Sequence, residues 1–235
     1  MNKSTWIIIG LVLVAFMGVF GATVMNKGNG IDYSKYDENT IIVADDNTGG
    51  LSENVKGGGA EAPVLIFEYA DYQCPGCAST NPYMNEILEK YGDKVGLVFR
   101  SYLLSYHQNG RAAAAAANAA ALQGYWKEYA DLVFANQSEW EAAKGSDRTD
   151  LFVKYFNTAS KGAGDVEKFK QDMTSEAVAK KIDFDIAMGE KIDVQGTPAY
   201  YIDGELVVWK DATTKDGFIK IFSDIVDKKL AEKGL

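Results

Sequence analysis

Cysteine, histidine and proline are all scarce in this sequence of 235 residues: two Cys, one His and four Pro. Two Cys and one His cannot make up a zinc site of four such ligands. Two cysteines permit one intramolecular disulfide, which excludes a scaffold stapled by several bridges. Basic charge is also short. Lys and Arg number 24 against 33 Asp and Glu, for a net charge of −9, and a surface of that sign argues against nucleic acid as a partner. Hydrophobic residues, by contrast, make up 47% and aromatics 12%, enough to bury a full core. The length suits one domain, or one domain carrying an insertion.

The longest uncharged stretch runs from Trp6 to Met25, twenty residues flanked by Lys3 and Lys27. At about 1.5 Å per residue a helix of that length spans about 30 Å, the hydrocarbon core of a bilayer. A cleaved signal peptide is the competing reading. Its apolar region is shorter, and a cut after Ala22 would place bulky Phe20 where the cleavage site wants a small residue. We therefore expect residues 1–5 to form a short tail, 6–25 an uncleaved transmembrane anchor and 26–40 a polar stalk. No cysteine lies near the run, which argues against a lipoprotein. The flanking lysines leave its orientation open.

Beyond the stalk, Thr40–Ala44 reads as a first strand and residues 45–62 as loop. Pro63–Ala70 (PVLIFEYA) is an apolar run of strand length without alternation, as suits a central strand covered on both faces. Cys77–Tyr91 has helical spacing, with Gly92 as its stop, and Val95–Leu104 is again strand-like, so a βαβ unit is expected. A helical block follows, opened by the alanine run Ala112–Ala121 and continued by aromatics at helical spacing. Tyr125, Trp126, Tyr129 and Trp140 are read as its core. Thr197–Trp209 reads as a hairpin about Asp203-Gly204, and residues 214–232 as a closing amphipathic helix. The pattern implies an α/β class, with a mixed sheet flanked by helices and a helical insertion.

The chemistry is concentrated in Cys74-Pro75-Gly76-Cys77, between the central strand and its helix. A helix N-terminus stabilises a thiolate at Cys74. Pro75 suits the first helical position, where no N–H is needed. The two-residue spacing lets Cys77 close a ring with Cys74. Cys74 is then the exposed nucleophile and Cys77 the shielded resolving thiol. Half a metal site, or two inert cysteines, is the plainer alternative. Gly196-Thr197-Pro198 precedes a second strand. A trans proline there would only mark a turn, whereas a cis proline would present Thr197 for strand-like pairing with a substrate peptide. Spacing alone leaves both open.

Together, Glu68-Tyr-Ala-Asp-Tyr-Gln-Cys74-Pro-Gly-Cys77 and Gly196-Thr-Pro198 resemble the DsbA-like thiol–disulfide oxidoreductases, in particular their membrane-anchored bacterial members. The resemblance covers about residues 52–232. It implies a thioredoxin fold made of residues 41–107 and 191–235, with residues 108–190 as the inserted helical subdomain. It implies a Cys74–Cys77 disulfide, a cis Pro198, and Gly196 and Thr197 as substrate-binding positions. It also implies a buried Glu68 that exchanges a proton with Cys77, since burial raises a carboxyl's pKa. Pro82 matches a helix-kinking proline of the family. His107 is read as a structural hydrogen-bond partner.

The function expected is an oxidase that donates its disulfide to exported cysteine-containing proteins through a mixed disulfide on Cys74. It would work as a monomer, without cofactor or metal, and be reoxidised by a quinone-coupled membrane partner of the DsbB or VKOR type. The catalytic domain would lie on the extracytoplasmic side of the cell membrane. A reductase or isomerase fed electrons through the membrane is the alternative in the same chemistry, and a non-catalytic peptide-binding chaperone the alternative from another class. One departure bears on the direction. DsbA carries a histidine between its cysteines, and here Pro75 and Gly76 stand there, so stabilisation of the thiolate falls to the helix terminus and backbone N–H groups.

Overall fold

The computed structural model describes residues 33–209, 212 and 214–235. The chain divides into two units, residues 1–35 and 36–235. In the first, only a 3-10 turn at Tyr33–Lys35 is described. The expected anchor, residues 6–25, lies outside the described residues. Among the described residues no helix is long and apolar enough to cross a membrane.

The second unit is built on a five-stranded sheet of order β1-β3-β2-β4-β5: β1 Asn54–Gly57, β2 Val64–Ala70, β3 Val95–Ser101, β4 Ala199–Ile202 and β5 Glu205–Leu206. β2 runs parallel to β3 and antiparallel to β4, and β1 closes the other side antiparallel to β3. β2 and β3 are buried almost throughout, which is why neither shows alternation in sequence. The β4–β5 turn has positive φ at Asp203 (50°) and Gly204 (78°), as a two-residue hairpin requires.

Helix α1, Pro75–Tyr91, links β2 to β3 and ends at Gly92, whose φ of 59° a side chain would disfavour. The closing helix α8, Lys215–Glu232, is capped by the Thr214 hydroxyl. Phe218, Phe222 and Val226 on α8 join Met84 and Ile87 on α1 over Val64, Ile66, Leu97 and Tyr200 of the sheet. Between β3 and β4 lie α2 Gly110–Ala121, α3 Trp126–Ala135, α4 Gln137–Trp140, α5 Gly145–Ala159, α6 Val166–Asp172 and α7 Glu176–Lys191. Ala113, Ala114, Ala116, Ala117, Ala119 and Ala120 of α2 are wholly buried. Their small side chains let α3, α6 and α7 pack closely around α2.

Two local expectations are corrected. Residues 40–44 form no strand, and β1 instead lies within the stretch read as loop. Its four residues, Asn-Val-Lys-Gly, have weak strand propensity, and their pairing with β3 supplies what the local sequence does not. The strand after α1 stops at Ser101 rather than reaching Leu104. The stalk expectation also changes at its end, because residues 36–40 are already fastened to this unit. The ring of Tyr36 meets Phe184 edge-on at 4.8 Å, and the carbonyls of Glu38 and Thr40 accept hydrogen bonds from Arg100 at 2.8 and 3.1 Å.

Arg100 belongs to a buried ionic cluster beneath α7. Its Nε and Nη2 both donate to Glu53 Oε1, at 3.0 and 2.9 Å. Lys181 donates to Glu53 Oε2 at 3.1 Å and also to Asp185, which in turn accepts from the Ser101 amide at 3.1 Å. All four charged side chains are at most 1% exposed. Two cations facing two anions make the cluster neutral, the condition under which such burial is tolerable.

Candidate active site

The chain leaves β2 at Ala70 and reaches Cys74 through Asp71, Tyr72 and Gln73. The wholly buried Asp71 organises this turn. Its carboxylate accepts from the amides of Gln73 and Leu104 and contacts His107 Nδ1, each at 2.9 Å, while its carbonyl accepts from the Cys74 amide at 2.9 Å. His107 is therefore placed as a partner of Asp71, 36 residues away along the chain. Gln73 ties the same turn to the insertion: its Oε1 accepts from the Asn109 amide at 2.7 Å and its Nε2 donates to the Glu141 carbonyl at 3.1 Å.

Cys74 is the N-cap of α1 and Pro75 its first residue. Both cysteines are thiols. Cys74, expected to be exposed, has 6% of its surface accessible, and Cys77 has none. The Thr197–Pro198 peptide is cis, and Cys74 Sγ donates to the Thr197 carbonyl at 3.4 Å. Gly76 is the point of closest approach. A Cβ on it would stand 3.3 Å from Pro198 Cδ, a tight approach, and 3.6 Å from Cys74 Sγ, so a side chain there would press on the proline. Gly196 borders the loop with open space beside it. Pro82 lies within α1.

The two thiols differ sharply. Cys74 is lowered from the ordinary value near 9 to about 5. The largest cause is the hydrogen bond its thiolate receives from Cys77, followed by the opposing effect of burial and then by Thr197 and the backbone N–H groups of Cys77 and Gly76. The Thr197 hydroxyl is buried and unpartnered while Cys74 is a thiol, and ionisation of the sulfur gives it an acceptor. Cys77 is pushed well above the ordinary value, first by burial and then by Cys74, with the charge of Glu68 adding to both.

Glu68 sits in β2, on the α1 side of the sheet, with 1% of its surface accessible. Burial raises its carboxyl to about 7, against the pull of Lys56 and of a hydrogen bond from Tyr200 at 3.1 Å. Lys56, from β1, is anchored among Asn81, Asn85 and Asp131, with Asp131 Oδ1 at 2.5 Å. Sequence reasoning missed Lys56, Asp131, Tyr200 and the Asp71 hub. Only the strand parity of Glu68 and Tyr200 could have hinted at one of them. A raised acid destabilises the fold once the unfolded chain ionises. This cost begins as pH rises through about 4.5 and is complete above about 7, where 2.5 pH units correspond to about 3 kcal/mol. Glu68→Gln is expected to leave stability unchanged at pH 4 and to raise it by up to that amount at pH 8, as read by urea unfolding. An equal change at both pH values would show that Glu68 titrates normally.

Beside Pro198 a groove of about 380 Å³ is lined by Tyr201, Leu206, Val208 and Trp209 among others, with Leu206 55% and Val208 63% exposed. Among the described residues, no three His, Cys, Asp or Glu side chains converge to hold a metal ion.

The chain is similar to several known proteins. The Thioredoxin family model matches residues 52–223. Among curated proteins, the Na(+)/H(+) antiporter NhaA 3 of Salinispora tropica is 33% identical over 151 residues, which is 63% of this chain and 21% of that protein. The antiporter NhaA of Herminiimonas arsenicoxydans is 29% identical over 147 residues, 63% of this chain and 22% of that protein. The chain thus spans about a fifth of the length of these relatives. Among solved structures, BdbD from Bacillus subtilis superposes with a TM-score of 0.62 at 19% identity, covering 83% of this chain and 100% of that one. Alpha-DsbA1 of Wolbachia pipientis does so with a TM-score of 0.59 at 24% identity, covering 77% and 92%. At such identities these two superpositions speak to the fold alone. With the family model spanning most of the described residues and the cysteine pair set against a cis proline, the chain belongs to the thioredoxin family.

Proposed function

We propose that this protein is a thiol–disulfide oxidoreductase working as an oxidase of exported proteins. The observation that carries the reading is the asymmetry of its two thiols. Cys74 titrates near 5 and so is a thiolate at neutral pH, while Cys77 is buried and protonated beside a carboxyl that titrates near 7. A dithiol stabilised in that way favours the reduced state, and its disulfide is correspondingly oxidising.

In the forward reaction a substrate thiolate attacks Cys74 Sγ. The Cys74–Cys77 bond breaks, and Cys77 leaves with the electron pair and takes a proton from Glu68. A second substrate thiolate attacks the substrate sulfur of the mixed disulfide and expels Cys74, a good leaving group because its thiolate is stable. The two electrons of the new substrate disulfide end on the cysteine pair. The Thr197 backbone and the groove beside Pro198 would receive the peptide flanking the substrate cysteine. By the family resemblance, a quinone-coupled membrane protein of the DsbB or VKOR type would reoxidise the pair. Residues 6–25 would anchor the chain with this unit outside the cytoplasmic membrane.

The test is the reduction potential of Cys74–Cys77 in the full chain, equilibrated with glutathione. The oxidase reading expects a value near about −120 to −180 mV. A value near about −270 mV would make the protein a reductase. In cells, Cys77→Ala is expected to accumulate mixed disulfides on Cys74, visible on non-reducing gels and absent from the Cys74→Ser, Cys77→Ala double variant.

A further inference from the structure

Glu68 and Tyr200 are direct partners in the β2–β4 register, and both are buried. Opposed side chains in an antiparallel pair stand close enough to touch. The Tyr200 hydroxyl accordingly lies 3.1 Å from Glu68 Oε1. The same hydroxyl is 2.9 Å from Thr80 Oγ1, three residues after Cys77 on α1. Thr80 Oγ1 in turn reaches the carbonyls of Gly76 at 3.1 Å and Cys77 at 3.3 Å. These three side chains have between 0 and 5% of their surface accessible, so the hydroxyls depend on one another for partners.

The chain of hydroxyls has two complete proton arrangements. With Glu68 ionised, Tyr200 donates to the carboxylate and Thr80 donates to Tyr200. With Glu68 protonated, the directions reverse: Glu68 donates to Tyr200, Tyr200 to Thr80, and Thr80 to the carbonyl of Gly76 or Cys77. Neither arrangement strands a buried donor. Packing does not demand the hydroxyl. The Tyr200 ring contacts Trp209, Phe218 and Phe222 with centroids 5.1 to 6.2 Å apart, and a phenylalanine would make the same contacts.

We propose that Tyr200 and Thr80 are positioning residues for proton exchange at Glu68. They hold its carboxyl in both charge states and tie its protonation to the first turns of the active-site helix. The inference rests on the reading of Glu68 as the proton partner of Cys77, and deepens it. The other titratable groups facing Glu68 are Lys56 from β1, Asp131 from α3, Cys77 from α1 and Tyr72 from the loop after β2. None of these is altered in the test.

The Glu68 carboxyl can be titrated directly in the reduced full chain by carbon-13 NMR of labelled glutamate, with its signal assigned by comparison with Glu68→Gln. Tyr200→Phe takes a donor from the carboxylate, so its midpoint is expected to rise by about one pH unit. Thr80→Val takes the final acceptor from the protonated arrangement, so its midpoint is expected to fall by about half a unit. Thr80→Ser keeps the hydroxyl and should titrate as the parent does. Looser packing that admitted water would lower both midpoints together. Shifts of the same sign in Tyr200→Phe and Thr80→Val, or no shift in either, overturn the proposal. A parallel measurement separates it from the reading beneath it: the pH dependence of resolution, by Cys77, of a mixed disulfide on Cys74. Midpoints that split as expected while the resolution profile stays unchanged would uphold the positioning roles and remove Glu68 from the reaction. A resolution profile that is lost in Glu68→Gln, with midpoints that do not split, would do the reverse.

Discussion

In the reduced protein, Cys74 is expected to alkylate at pH 7 and Cys77 is not. The rate with iodoacetamide should rise about tenfold per pH unit up to a midpoint near 5 and be flat above about 6. The nucleophile is the thiolate, and Cys74 reaches that form because Cys77 donates to its sulfur, with Thr197 and the backbone N–H groups of the helix terminus adding to the effect. The same shift is a stability statement. The folded value is depressed to about 5 against an ordinary value near 9, so the stabilisation of the reduced fold is fully present above pH 9 and is lost as pH falls through 5. Four pH units set an upper bound of about 5 kcal/mol, which solvent screening of the half-buried sulfur reduces. Urea unfolding of the reduced protein, minus that of Cys74→Ser, isolates this contribution from the opposing one of Glu68. A difference that stayed flat between pH 5 and 9 would remove the physical basis of an oxidising disulfide.

Arg100→Met is expected to cost about 3–5 kcal/mol of stability at neutral pH. The guanidinium has no accessible surface, and its loss would leave two buried carboxylates, Glu53 and Asp185, facing one ammonium, that of Lys181. It would also free the Tyr69 hydroxyl, which Arg100 Nη1 meets at 2.9 Å, and the carbonyls of Glu38 and Thr40. Removing Glu53 as well, in Arg100→Met with Glu53→Leu, restores neutrality by leaving Lys181 paired with Asp185, and most of the loss should return. A double variant as unstable as the single one would mean that the cost lies in packing or in the freed backbone, not in charge.

Much of the active centre was legible because its signals are local. Pro75 next to Cys74, the apolar run before them and Gly92 after the helix each act through backbone conformation within a few residues. The Asp203-Gly204 turn and the apolar stripe of α8 are signals of the same kind. Glu68 was reached through the family resemblance, and the structure buries it in β2 beside the cysteine helix. β1 escaped notice because Asn-Val-Lys-Gly gains strand character only through its pairing with β3. The cause of the Cys74 shift was misjudged in order: helix terminus and backbone N–H groups do contribute, but less than the Cys77 thiol.

The division follows from the range of the forces involved. The sequence by itself determined the order of strands and helices and the cysteine pair at a helix start, since propensity, capping and hydrophobic period act over one or two turns. The tertiary structure alone decided which distant side chains complete the site. Register between β2 and β4 sets Tyr200 against Glu68, 132 residues apart, and the fold of the insertion brings Asp131 to Lys56 across 75. The titration of Cys74, Cys77 and Glu68 depends on burial and on those neighbours, and neither exists until the chain has folded.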